Sequence, residues 1–274
     1  MYDQALIDDL NQKARHLRRN IVLSIDVGRA GHLGGSCSAA DVVAALYFYK
    51  MHHDPKNPEL RDRDRVIFSK GHAALAQYAA LAQCGYFPES ELPKTKTLGA
   101  MLQGHPDFLK TPGIEAGTGS LGQGLSIALG MALGMRMNGI EGRKCYAIVG
   151  DGELEEGQIW EAAMAAASFK VDNLVAIVDR NRLQASDRTE NIINIGDMEG
   201  KWRTFGWEVL EIDGHNMAEI CEALDKADTI KGKPTVIIAN TIKGKGISFA
   251  ENQVGFHNSA LSQEQYDRAL AELQ

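Results

Sequence analysis

The chain has 274 residues, 44% of them hydrophobic and 24% charged, and a formal net charge of −7. That length and balance suit a soluble globular protein with a substantial buried core, and the acidic surplus excludes a nucleic-acid partner held by a basic surface. No apolar run reaches the length of a membrane span, and the charged N-terminus lacks the apolar core of a secretory signal.

In chain order, residues 1–20 pattern as a helix with Leu6, Ile7, Leu10, Ala14 and Leu17 on one stripe. A glycine-bearing loop over 28–35 leads to an apolar helix over 39–50, then a polar loop over 54–64 and a short strand over 65–69. A helix over 72–83 follows, and 85–118 reads as irregular, a length at which loops are functional or disordered. From there the pattern is regular: helix 121–138, strand 144–149, helix 154–169 and strand 173–179. A second irregular stretch, 180–200, precedes strand 207–212, helix 216–229, strand 235–239 and a short amphipathic helix over 262–273 capped by Ser262. No internal repeat or low-complexity linker divides the chain. The expected fold is α/β, a parallel β-sheet with helices on both faces, in a single domain over 1–274. Cys37, Cys84, Cys145 and Cys221 form no Cys-x-x-Cys pair. Cys145 and Cys221 read as small core residues, and a reducing cytoplasm fits the set.

The strand over 144–149 runs into Gly150-Asp151-Gly152, and the strand over 173–179 runs into Asn181. If the two strands are neighbours, Asp151 and Asn181 emerge together at their carboxyl ends, where open α/β sheets hold ligands. A carboxylate, an amide oxygen and a backbone carbonyl make a hard oxygen set, suited to Mg²⁺ or Ca²⁺ that carries phosphate oxygens. Gly150 and Gly152 let the backbone approach a diphosphate, and the following helix turns its positive end to it. Gly-Asp-Gly alone is a common strand-to-helix turn; Asn181 at the end of the next strand favours the ligand.

Three histidines follow glycines in irregular segments: His32, His72 and His105; His257 lies near the C-terminus. One loop histidine is ordinarily a solvated or capping residue. Several ahead of a diphosphate site suit phosphate binding, substrate hydroxyl binding and proton transfer near neutral pH. His16, His52, His53 and His215 lack that context and read as structural or surface residues. The turn over 117–124, containing Gly119, Ser120 and Leu121, serves either close helix packing or main-chain approach to a cofactor ring.

Taken in order, Gly31-His32-Leu33-Gly34-Gly35, Ser69-Lys70-Gly71-His72-Ala73, Gly104-His105-Pro106, Thr118 to Gly124, Gly150-Asp151-Gly152-Glu153 with Glu156-Gly157, and Asp179-Arg180-Asn181 resemble the N-terminal, diphosphate-binding region of transketolase. Lys243-Gly244-Lys245-Gly246 and His257 continue the resemblance over nearly the whole chain. It implies thiamine diphosphate bound through Mg²⁺, with Ca²⁺ or Mn²⁺ able to substitute. Asp151, Asn181 and the Leu183 carbonyl would be the metal ligands. His72, Gly119, Ser120, Leu121, Gly150, Gly152, Glu153, Asn181 and His257 would contact the cofactor. His32, His105 and His257 would face the sugar, and Glu156 and Glu161 match acidic positions at a subunit interface. The implied reaction moves a two-carbon ketol unit from a ketose phosphate to an aldose phosphate, a histidine taking the donor's C3 hydroxyl proton.

Leu33 stands where the family has proline, and the family's pyrimidine-binding domain, with its activating glutamate and most of its sugar-phosphate arginines, is not in this sequence. The expectation is a split transketolase: this chain plus a C-terminal subunit carrying the pyrimidine-binding domain, most simply as a two-plus-two heterotetramer. Alternatives are a related enzyme making deoxyxylulose phosphate or using an unusual sugar, and a non-catalytic scaffold. A nicotinamide-binding protein is disfavoured, because no Gly-x-Gly-x-x-Gly turn joins a strand to a helix.

Overall fold

In the computed structural model, which describes residues 2–274, five strands form one sheet in the order β1-β2-β3-β5-β4, all pairs parallel. The strands are β1 Arg65–Phe68, β2 Cys145–Gly150, β3 Leu174–Arg180, β4 Glu208–Asp213 and β5 Thr235–Asn240. Helices precede and connect them: α1 Gln4–Ile25, α2 Leu33–Ser38, α3 Ala40–Ala45, α4 Ala74–Cys84, α5 Gln123–Met137, α6 Gly157–Ser168, α7 Thr189–Ile192, α8 Met198–Thr204, α9 Met217–Thr229 and α10 Gln263–Glu272.

Side chains alternate across the sheet and enter two separate cores. Tyr146, Ile148, Val175 and Ile177 pack with α1, α3, α4 and α9. Cys145, Ala147, Val149, Leu174, Ala176 and Val178 pack with α5, α6 and α8 on the opposite face. Both faces of the central strands β2 and β3 are covered, so they are apolar up to Val149 and Val178, whereas the edge strand β4 carries Glu208, Glu211 and Asp213.

Every expected strand is present, with ends displaced by a residue or two. The expected helix over 1–20 starts at Gln4, behind the Asp3 cap, and runs on to Ile25; Met1 lies outside the described residues. Its extension follows from Ile21, Val22 and Ile25, which prolong the buried stripe. The loop expected over 28–35 is already helical from Leu33, and the helix expected over 39–50 is α3 followed by a π turn, Leu46–Lys50. The helix expected from 121 starts at Gln123, because Gly122 holds a left-handed φ of 84° at its cap. The stretch 180–200 contains α7 and the start of α8. Ser262 caps α10 as expected, within a reciprocal capping box with Gln265. No helix among the described residues is long and apolar enough to cross a membrane.

Candidate active site

The register of β2 on β3 sets Gly150 opposite Asp179. The next residues, Asp151 on one chain segment and Asn181 on the other, therefore leave the sheet at the same edge. Asp151 is 4% exposed, and its carboxylate accepts from the Gly152 amide at 2.9 Å and the Arg182 amide at 2.5 Å. Asn181 donates through Nδ2 to Asp179 at 3.1 Å, which turns its Oδ1 toward the Leu183 amide at 3.2 Å. Burial, then the neighbouring Asp179 carboxylate, push the Asp151 carboxyl up to about 6, against the two amide donors.

Asp179 itself is buried in a full set of donors: the Lys70 ammonium, the Ser38 hydroxyl at 2.5 Å, the Thr241 hydroxyl and the Asn181 amide. Burial alone would raise its pKa, yet Lys70 and these donors hold it below the usual carboxylate range. Lys70 also donates to the Gly35 carbonyl at 2.8 Å, joining the end of β1 to α2 and β3. Glu153 is buried too; its carboxylate accepts from the Ser69 hydroxyl at 2.5 Å and the amides of Gly122 at 2.8 Å and Gly150 at 3.0 Å. It braces the turn before α5 against the Gly-Asp-Gly turn, a task its cofactor assignment did not foresee. The turn before α5 also packs closely on the Ser69-to-Gly71 turn: a Cβ on Gly124 would lie 2.4 Å from the Ser69 Cα, and one on Gly71 2.7 Å from the Gly119 nitrogen.

The four singled-out histidines converge from four parts of the chain. His32 lies 5.1 Å from His72, 5.4 Å from His257 and 6.4 Å from His105, centroid to centroid, and His72 lies 5.1 Å from His257. His105 is the exposed member, its backbone carbonyl held by the Tyr78 hydroxyl at 2.9 Å. All four are shifted toward the neutral imidazole. Burial lowers His32 to about 4, helped by Lys96, His105 and Lys243, and lowers His257 to about 3, helped by Lys243, His32 and Lys70. His72 falls furthest, to about 2, through burial and then Lys70; desolvation and Lys96 lower His105.

Between the carboxylate corner and the histidines lies a cavity of about 260 Å³. Its lining includes His32, His72, His257, Gly119, Leu121 and Gly150 to Glu153, with Asn181, Leu183 and Gln184 on the other side. Ser120 is exposed beside this lining, outside it. Lys243 crosses one wall, its ammonium donating to the carbonyls of Leu183 at 2.8 Å and Gln184 at 2.9 Å and lying 2.8 Å from His257 Nδ1. Gly34 makes that reach feasible, since a Cβ there would come within 2.8 Å of the Lys243 Cγ. Burial and then Lys70 lower this ammonium to about 8. Neither Lys70, Lys243 nor Gln184 was assigned a role from sequence; the first two sit inside the quoted Ser-Lys-Gly-His and Lys-Gly-Lys-Gly segments, which was the available signal. Glu156 and Glu161 are both exposed.

The corner suits a divalent cation on its own chemistry. Asp41 and Asp179 are buried carboxylates paired with Arg18 and Lys70, whereas Asp151 has no cationic partner among the described residues. Removing an unpaired carboxylate from water is costly unless a cation joins it. No group of three His, Cys, Asp or Glu side chains among the described residues is placed to hold an ion. One carboxylate, one amide and one carbonyl leave coordination positions for ligand oxygens, as a hard cation carrying phosphates needs. Thr118 Oγ1, packed against Gly71, is buried without a hydrogen-bond partner among the described residues.

A parallel sheet whose second and third strands deliver these groups to one cavity defines an α/β ligand-binding domain of the thiamine-diphosphate type. The sequence matches the thiamine diphosphate binding domain of transketolase over residues 10–273, and the chain belongs to that family. It is 47% identical over 266 residues to the 6-deoxy-6-sulfo-D-fructose transketolase subunit SqwG of Clostridium sp. (strain MSTE9), covering 97% of this chain and 96% of that one. It is 42% identical over 267 residues to one of the subunits of the apulose-4-phosphate transketolase of Actinobacillus succinogenes, again covering 97% of this chain and 96% of that one. Against human transketolase it is 36% identical over 271 residues and spans only 43% of that chain. The transketolase structure from Campylobacter jejuni superposes with a TM-score of 0.89 at 30% identity, covering 99% of this chain and 43% of that one.

Proposed function

We propose that this chain is the cofactor-holding subunit of a two-chain transketolase, transferring a two-carbon ketol unit from a ketose to an aldose, each carrying an anionic group. The observation that carries the reading is the meeting of Asp151, Asn181, His32, His72 and His257 around one cavity, with His105 beside His32, in a chain of this family. Asp151, Asn181 and the Leu183 carbonyl would hold Mg²⁺, with Ca²⁺ or Mn²⁺ able to replace it. Gly150 and Gly152 would take the diphosphate, with His72, Glu153 and His257 nearby, and Gly119, Ser120 and Leu121 would border the aminopyrimidine. Thiamine diphosphate supplies, when bound, the nucleophilic carbon and the electron sink that cleavage next to a ketone requires.

The rest is work for the chain's own side chains. His32, His105 and His257 are each shifted toward the neutral imidazole, the form that can accept a proton from a sugar hydroxyl and return it. Their crowding about His32 lets one hydroxyl be held by two imidazoles, fixing which proton moves.

A partner chain carrying the pyrimidine-binding domain completes the site in this proposal, most simply as a two-plus-two heterotetramer in the cytoplasm. Support comes from the two relatives named as subunits, which this chain matches almost end to end. Their names concern 6-deoxy-6-sulfo-D-fructose and apulose 4-phosphate, and the higher identity to them favours a donor of that kind over the common pentose phosphates. The test is two-carbon transfer with thiamine diphosphate and Mg²⁺, by this chain alone and with a candidate partner, on phosphorylated and sulfonated ketoses. Activity confined to the mixture supports the proposal; activity of the chain alone, or none with any ketose in a formed complex, overturns it.

A further inference from the structure

Lys96 was given no role by its sequence context, yet its side chain touches two of the histidine-bearing loops. Its ammonium donates to the Ala30 carbonyl at 2.9 Å, two residues before His32. Its stem lies across Gly104, one residue before His105, so closely that a Cβ there would sit 3.2 Å from the Lys96 Cε. The backbone holds a left-handed φ of 61°, a conformation that glycine adopts at less cost than lysine. An amide bond to the Leu102 carbonyl at 2.9 Å closes the turn around it. Arg29 fixes the same turn from the other side, donating to the carbonyls of Pro93 at 2.8 Å and Thr95 at 2.7 Å. A lysine in a glycine-favouring position, with its side chain spanning two loops, points to a use for that side chain.

The charge balance points the same way. Of the three lysines facing the histidines, Lys70 is matched by Asp179, whereas Lys243 and Lys96 have no carboxylate partner among the described residues. The groups facing His32 are His72, His105, His257, Lys243 and Lys96, and those about His105 are His32 and Lys96, with Asp107 two residues along on its own turn. After burial, Lys96 is the largest influence on both imidazoles, and each is lowered.

We propose that Lys96 is a positioning residue for the histidine cluster: it sets the spacing of the His32 and His105 loops and presents an unmatched positive charge to both rings. Such a cation makes a second positive charge on either ring unfavourable, so both remain able to accept a proton below neutral pH. The use of that property in ketol transfer rests on the function proposed above; the electrostatic claim does not.

The test therefore reads the imidazoles directly in the isolated full chain, without cofactor or partner. Ring signals of histidine-labelled protein are titrated by NMR in the parent, Lys96→Met and Lys96→Arg, with His32→Gln and His105→Gln used to assign them. Lys96→Met keeps most of the stem and removes the charge. It should raise the titration points of His32 and His105 by about half a unit or more at low salt, an increase that shrinks near 1 M salt and is reversed in Lys96→Arg. His72, which faces Lys70, should move least. Unchanged titration of both rings in Lys96→Met overturns the proposal, as does an increase that salt leaves intact and arginine fails to reverse. In the assembled enzyme, Lys96→Met should carry the acid limb of kcat/KM upward. A parent complex without two-carbon transfer, in which the ring titrations still respond, would refute the proposed function and leave the role of Lys96 standing.

Discussion

Lys70→Met isolates the buried pair at the base of the site. Lys70 and Asp179 are 2% and 3% exposed, and the ammonium is the carboxylate's only cationic partner among the described residues. Removing one member of such a pair strands the other charge, which costs about 3–5 kcal/mol. Ser38, Thr241 and Asn181 still donate to Asp179, so the lower end, about 3 kcal/mol, is expected. For a urea m value of about 3 kcal/mol/M, the midpoint falls by about 1 M. The pH dependence carries the sign. In the parent, Asp179 titrates below its unfolded value, so its contribution is complete above that value and is lost as pH falls through the lower folded one. In the variant the paired ammonium is gone, and burial with the neighbouring Asp151 carboxylate acts against the neutral donors and raises the carboxyl above its unfolded value. The penalty is then full near pH 8 and shrinks as acid protonates Asp179. Adding Asp179→Asn to Lys70→Met should recover most of the loss, because no buried charge remains. Urea unfolding followed by circular dichroism at pH 8 and pH 5 reads all of this. A midpoint within about 0.2 M of the parent at both pH values would refute the account, since about 0.6 kcal/mol is the size of a surface effect.

Asp151→Ala should abolish Mg²⁺-dependent binding of thiamine diphosphate in calorimetric titration; a dissociation constant within threefold of the parent, taken as about the limit of context effects, would remove the metal assignment. His105→Ala should lower kcat of the assembled enzyme by about 100-fold or more while cofactor affinity holds, and unchanged turnover would deny it a role in proton transfer. Gly124→Ala should cost about 2–3 kcal/mol in urea unfolding, because its Cβ would strike the Ser69 backbone rather than a movable side-chain end. A loss below about 0.5 kcal/mol would mean the two turns separate more easily than their contact implies.

The sheet was legible in the sequence because strands buried on both faces carry short, wholly apolar runs, and Ile148-Val149 and Ile177-Val178 are such runs. The adjacency of those two strands was a condition of the reading rather than a result of it, since a helical crossover does not by itself make consecutive strands neighbours, and β5 lies between β3 and β4. The segment from Gly31 to Ser38 was less legible. Its glycines look like loop residues, but Gly34 and Gly35 leave room for the Lys243 stem and for His72, and the helix forms around that room. Convergence of the histidines was anticipated only through the ordered resemblance. No local pattern tells that Lys70 meets a carboxylate 109 residues away, or that Lys96 bridges to Ala30 across 66. Long-range pairs of this kind leave no periodicity to read.

Gly31 and Ser259 exchange amide-to-carbonyl bonds at 3.0 and 3.1 Å, and the Gly28 amide reaches the Leu261 carbonyl at 3.0 Å. The loop bearing His32 is thus stitched to the segment bearing His257, although the chain between them includes every strand of the sheet. Asp151 and Asn181, by contrast, are brought together by one crossover. Closing the longer loop costs more chain entropy, and contacts of high sequence separation form slowly. A nascent or refolding chain should acquire its Asp151–Asn181 corner first and the pairing of the His32 and His257 segments last, so partly matured molecules would have the cation ligands in place before the proton-handling histidines meet.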